Sequence, residues 1–111
     1  MEPAELSHAL SGGYVLRYAL DLLAKTFSLG VEVLENGVLS HYEIVFRGVS
    51  HFALEDQSLG GWERIELTEI MIDKLPQESS TEEWELSMNL WDIAELSVRC
   101  QSIEVDGAPI E

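Results

Sequence analysis

The sequence predicts an all-β fold, an antiparallel sandwich or partly closed barrel with a short N-terminal helix. Three observations point there. From Trp84 to Leu90 every even position is large and apolar while Glu85, Ser87 and Asn89 are polar, and the alternation resumes from Ala94 to Cys100 after Trp91-Asp92-Ile93. Such period-two patterning is that of strands with one dry face, and two of them around a short break make a hairpin. Glu35-Asn36-Gly37 contains Asn-Gly, the strongest short hairpin signal because both turn positions need positive φ. Finally, turn-forming residues recur every eight to twelve residues or so, the spacing of a sandwich or barrel.

The 111 residues make a single domain, 1–111, and the 46% apolar content is that of a globular protein. Glu2 to Leu10 suits one or two helical turns, with Pro3 tolerated in the first turn and Ser11-Gly12-Gly13 as the stop. Tyr14 to Leu23 fits two patterns. Tyr14, Leu16, Tyr18 and Leu20 alternate as in a strand, whereas Val15, Tyr18, Ala19 and Leu22 mark one face of a helix. Strand is the preferred reading, because Thr26 to Leu34 is β-like and Asp21 to Lys25 then serves as a hairpin turn. The alternative is an α+β fold with a helix at 14–25.

A further strand spans about His41 to Arg47 with Tyr42, Ile44 and Phe46 inward, and the apolar phase changes after Gly48. Glu55 to Gly61 reads as a loop. Trp62 to Leu75 reads as strand, phase change at Thr68-Glu69, then strand; Pro76 to Glu83 reads as an exposed loop. The last phase change lies at Gln101-Ser102, since apolar positions are even through Cys100 and odd at Ile103 and Val105. Either a β-bulge bends one strand there, or a strand ends at Cys100 and another begins.

Tyr42-Glu43-Ile44-Val45-Phe46-Arg47-Gly48-Val49, Glu66-Leu67-Thr68-Glu69-Ile70 and Leu96-Ser97-Val98-Arg99-Cys100, in that order, resemble the small uncharacterised bacterial β proteins of the YxiG type. The resemblance rests on spacing and apolar pattern over about two-thirds of the chain. It implies a β fold and an interaction role of the immunity-protein kind, with no catalytic residues to carry over.

Charge narrows the function classes. Six Lys and Arg stand against 21 Asp and Glu, a net charge of −15. Phosphate binding needs a basic footprint, so nucleic acid is excluded as a partner, and an anionic membrane surface would repel the chain. No apolar run is long enough for a membrane-spanning helix, the acidic start (Glu2, Glu5) has the wrong charge for a signal peptide, and one cysteine forms no internal disulfide. A cytoplasmic protein is the expectation.

The sequence offers few groups for catalysis or metal binding. His8, His41 and His51 fit no metal-binding spacing, no EF-hand or G-x-S-x-G run occurs, and Cys100 shares the core parity of Leu96 and Val98. No catalytic residue, metal or cofactor is expected. Glu55 to Glu85 carries ten acidic and two basic residues, and two tryptophans, Trp62 and Trp91, sit at loop or turn positions. The expected function is therefore a non-enzymatic, acidic protein-interaction module for a basic partner, using Trp62, Glu63, Glu66, Glu69 and Trp91. The rival is a small-ligand binder or enzyme with a pocket between sheet faces and Tyr14, Tyr18, Tyr42 and the histidines near its mouth. A homo-oligomer through an exposed strand edge is a third possibility.

Overall fold

The computed structural model describes residues 1–57, 60–76 and 84–110. It is a sandwich of two antiparallel sheets preceded by one short helix. The helix α1 (Pro3–Leu10) carries proline in its first turn and buries Leu6 and Leu10. Ser7 Oγ donates to the Ile70 carbonyl at 3.1 Å, tying the helix to a strand. His8 is exposed.

The first sheet contains β1 (Tyr14–Asp21), β2 (Thr26–Glu35), β3 (Val38–Arg47), β8 (Ser102–Val105) and β9 (Ala108–Pro109), in the order β1-β2-β3-β8-β9. The second contains β4 (His51–Asp56), β5 (Leu67–Lys74), β6 (Trp84–Leu90) and β7 (Ala94–Cys100), in the order β4-β7-β6-β5. The alternating residues of β2, β6 and β7 supply the layer between them. Phe27, Leu29, Val31 and Val33 come from β2, Trp84 to Leu90 at even positions from β6, and Ala94 to Cys100 at even positions from β7. Phe27 stacks on Phe46 at 5.6 Å and meets the edge of Phe52 at 4.8 Å, linking both sheets.

The segment 14–25 is therefore strand and turn, not helix. Tertiary pairing decides: Arg17 to Asp21 pair with Gly30 to Thr26, and Asp21 Oδ1 accepts the backbone N–H groups of Leu23 and Ala24 to fix the turn. Asn36 and Gly37 have φ of 50° and 81°, as the hairpin between β2 and β3 demands. Two sequence expectations need correction. The stretch Trp62 to Glu66 is not a strand but an extended approach whose end bridges Tyr14, with Val15 N–H donating to the Ile65 carbonyl at 2.8 Å. The expected loop at Glu55 begins two residues late, because β4 runs to Asp56. The loop expected at Pro76 to Glu83 lies outside the described residues apart from Pro76.

The phase changes at Gly48 and at Gln101 turn out to be one feature. β3 pairs with β8 in the first sheet, β4 pairs with β7 in the second, and both connections cross at the same corner. Between the pairs Arg47–Ser102 and His51–Arg99, the three residues Gly48, Val49 and Ser50 face the two residues Cys100 and Gln101. One two-stranded ribbon thus folds from one sheet into the other with a single extra residue at the bend, the usual way a sandwich corner is made. The strand does end at Cys100, and the misfit that a bulge would supply sits on the opposing strand. Gln101 N–H donates to the Arg47 carbonyl and Ser50 N–H to the Arg99 carbonyl, at 2.9 and 3.0 Å, so the bend keeps main-chain partners. The phase change at Thr68 is a register shift between Leu67 and Glu69 against β6. The segments 12–15 and 65–67 join the sheets at a second place, but no closed barrel forms among the described residues.

Tyr42 marks the rim of this core. Its hydroxyl donates to Glu35 Oε1 at 2.6 Å, and this hydrogen bond, followed by burial and the negative charges of Glu35 and Asp106, holds its pKa above the ordinary tyrosine value. The neutral phenol is the form the fold favours. The resulting stabilisation is fully present below about pH 10 and is lost as pH rises through the raised folded value. In urea melts across the alkaline range, Tyr42→Phe should accordingly flatten the fall in stability that begins there; an unchanged slope would exclude Tyr42 as its source.

Candidate functional site

Residues of both sheets enclose an apolar cleft of about 520 Å³. One wall is the inner face of β1 and β2, with Tyr18 and Leu20 of β1 beside Phe27 and Leu29. The other is Phe52 and Leu54 of β4, with Leu96, Met88 and Leu90 behind them. Gly60, Gly61, Trp62 and Ile65 line the third side. Register explains why the residues of β1 are available. A bulge between Val15 and Arg17 turns Tyr18 and Leu20 inward, but the opposing sheet does not reach them, and Tyr18 remains 69% exposed.

Asp56 also lines the cleft. It follows Phe52 and Leu54 on the inner parity of β4, so a carboxylate ends an otherwise apolar row. The same residue lines a second hollow of about 440 Å³ with Glu55, Asp92 and Glu95, beside the β6–β7 turn. The acidic side continues across the outer face of the second sheet. Glu55 stands directly opposite Glu95, Glu95 opposite Asn89, and Asn89 opposite Glu69. Like charges facing across strands cost a few tenths of a kcal/mol to about 1 kcal/mol. Ser87 Oγ donates to Glu95 at 3.2 Å and Asn89 Nδ2 to Glu69 at 3.3 Å, which offsets part of that cost.

The basic groups do little to neutralise this end. Arg17 pairs with Glu43 and Arg47 with Glu104 on the first sheet, and Arg99 with Glu85 on the outer face of the second sheet but at the opposite end of β6 and β7 from the hollow. Lys74 lies over the Trp84 ring and Arg64 over the Tyr14 ring, 5.7 and 4.9 Å from their centroids. What is left at the cleft and hollow is a site with apolar walls and a negative rim.

The five residues expected at an interface are not one cluster. Trp62 lines the cleft, half-buried. Glu69 belongs to the acidic row on the outer face, and Glu63 is exposed on the approach to β5. Glu66 is half-buried and its backbone bridges Tyr14. Trp91 has a structural occupation: its indole N–H donates to the Arg64 carbonyl at 2.6 Å and its ring lies 6.4 Å from that of Tyr14, pinning 64–66 against the β6–β7 turn. Trp91 and Asp92 both have positive φ, 54° and 56°, as a tight hairpin turn between β6 and β7 demands.

Of the groups expected at a pocket mouth, Tyr18 alone lines the cleft. His41 is tied to Glu32 at 2.9 Å on an outer face, His51 starts β4, and Tyr42 bonds Glu35. Cys100 is fully buried in the core. Among the described residues, no three His, Cys, Asp or Glu side chains are grouped to hold a metal ion. The chief residue that sequence reasoning missed is Asp56, and the signal was there: Phe52, Leu54 and Asp56 share one parity. The apposition of Glu55 and Glu95 depends on strand pairing and had no local signal.

No family model matches the chain, and a search of curated proteins returns no match.

Proposed function

We propose that this protein is a non-enzymatic, cytoplasmic interaction module of the immunity-like kind, which binds a basic protein partner at the cleft and its acidic rim. The observation that carries the reading is the junction at Asp56, where a cleft with apolar walls opens onto a hollow lined by Glu55, Asp92 and Glu95. An anchor side chain fits the apolar part, and adjacent Lys or Arg residues fit the acidic part. Steering by the net charge of −15 would speed encounter with such a partner and would weaken as salt rises.

The test uses three synthetic peptides, alternating Lys-Leu, Lys-Ser and Glu-Leu heptamers, titrated into isotopically labelled protein by NMR. Only the Lys-Leu peptide should bind, shifting the Leu54 and Asp56 amides and the Trp62 indole, and its affinity should fall several-fold between low and high salt. Trp62→Ala should speed its dissociation. Equal binding of the Lys-Ser peptide would reduce the acidity to non-specific attraction, and no binding at all would sink the reading.

A second reading is favoured by the cleft alone. Its volume lies within the range of small-molecule sites, roughly 300–1,000 Å³. An uncharged apolar ligand that shifts the same residues with no dependence on salt would make that the better account.

A further inference from the structure

We propose that β1 is a self-pairing edge, through which two copies of this chain join their first sheets into one continuous antiparallel sheet.

The sheet edges are not alike. Edge strands are normally kept from pairing by charge, covering segments or shortness. β5 carries Glu69, Asp73 and Lys74, with α1 packed beside it, and β4 ends in Glu55 and Asp56. β9 has only two residues. On β1, the pairing with 65–67 covers Gly12 to Val15 and stops there. From Arg17 to Asp21 the strand is an edge among the described residues, and the chain beyond it bears Leu22 at 72% and Leu23 at 99% exposure. In a chain with a net charge of −15, Tyr14 to Lys25 holds two basic residues and one acidic residue. This edge is where a second acidic chain meets least repulsion.

Its own sequence also selects a register. Two copies of β1 laid antiparallel about a two-fold axis at Ala19 set Arg17 opposite the partner's Asp21, twice. Ala19 then meets its own copy on that same outer face. On the cleft face, Tyr18 meets the partner's Leu20, again twice, so exposed apolar area is covered. Faces match in this register because residues of like parity pair. Arg17 lies across Gly30 to reach Glu43 in the single chain, so its exposed side chain must swing to the edge to meet the partner's Asp21, which keeps a second oxygen beside the Oδ1 used by the turn. Exposed pairs of this type add little energy; here they specify which register forms.

A partner strand of another protein could use the same main-chain edge, but salt tells the two apart. Two chains of −15 repel as they approach, so self-association should strengthen as salt screens them, opposite to the capture of a basic partner.

The experiment is sedimentation equilibrium of the whole chain at low and high salt, with three variants. The expected result is a monomer–dimer equilibrium shifted to dimer at high salt. Ala19→Lys, which sets two like charges at the axis, should raise the dimer dissociation constant about tenfold while leaving the circular-dichroism melt in place. Asp21→Asn keeps the turn acceptor and should weaken the dimer by a smaller factor. Ala19→Cys should give a covalent dimer on mild oxidation that the parent chain, with its buried Cys100, does not. Overturning results are a monomer at every concentration and salt, or a dimer indifferent to Ala19→Lys. So would be a dimer dissolved by salt, or a monomer whose β1 amides respond only to the Lys-Leu peptide.

Discussion

Val98→Asp is expected to abolish cooperative folding. Val98 has no exposed surface, lies between Phe52 and Leu86 in the strand register, and offers a carboxylate no partner. Burying an unpaired charge costs several kcal/mol, comparable to the whole stability of a small domain, about 5–15 kcal/mol. Ser97→Asp is the matched control. Its side chain faces the other way, between Ala53 and Ser87, and the change should cost no more than about 1 kcal/mol. Urea melts followed by circular dichroism should show a normal transition for the second variant and none for the first. Equal losses would mean that the register of β7 is wrong.

Gly48→Ala should be damaging for so small a substitution. Gly48 has a φ of 67°, and a Cβ there would lie 2.6 Å from the Gln101 side-chain oxygen. The left-handed backbone costs an L-residue about 1–2 kcal/mol, and moving Gln101 adds to that. A loss of about 2 kcal/mol or more is expected, read as a lower urea midpoint at unchanged m. Adding Gln101→Ala should recover the part due to contact and leave the part due to φ. A double mutant no better than Gly48→Ala would show that the backbone conformation carries the whole effect, and a near-neutral Gly48→Ala would contradict the geometry of the corner.

The fold was legible wherever one residue reports on one environment. The even parity of Trp84 to Cys100, the odd parity of Phe27 to Val33 and the Asn36-Gly37 turn each encode burial or φ locally, and each stands in the structure. Tyr14 to Leu23 was ambiguous because its pattern satisfied two periods, and only pairing with β2 decides between them. The phase changes at Gly48 and Gln101 were both visible along the chain. That they face one another is a fact of topology, separated by more than fifty residues, and no local pattern contains it. The site was less legible for the same reason. Trp62 could be singled out from its position after Gly60-Gly61, but the acidic hollow is assembled from the end of β4 and the β6–β7 turn. Trp91 drew notice as an aromatic at the hairpin turn, yet its indole bond to Arg64 gives it a local packing task.

The folded ribbon has a consequence for how the domain comes apart. Because β3 and β4 are two halves of one strand path, and β7 and β8 two halves of its partner, neither sheet can open without straining the hydrogen bonds of the other. A sandwich joined only by loops can shed one layer and keep the second as a partly ordered intermediate. This one is stitched through its corner, so unfolding should be all-or-none, with calorimetric and van't Hoff enthalpies in agreement. The same stitching makes assembly slow to begin. The contacts that define the corner join residues far apart in sequence, so a long loop must close before any of them forms, and the folding rate should sit toward the slow end for a chain of this size.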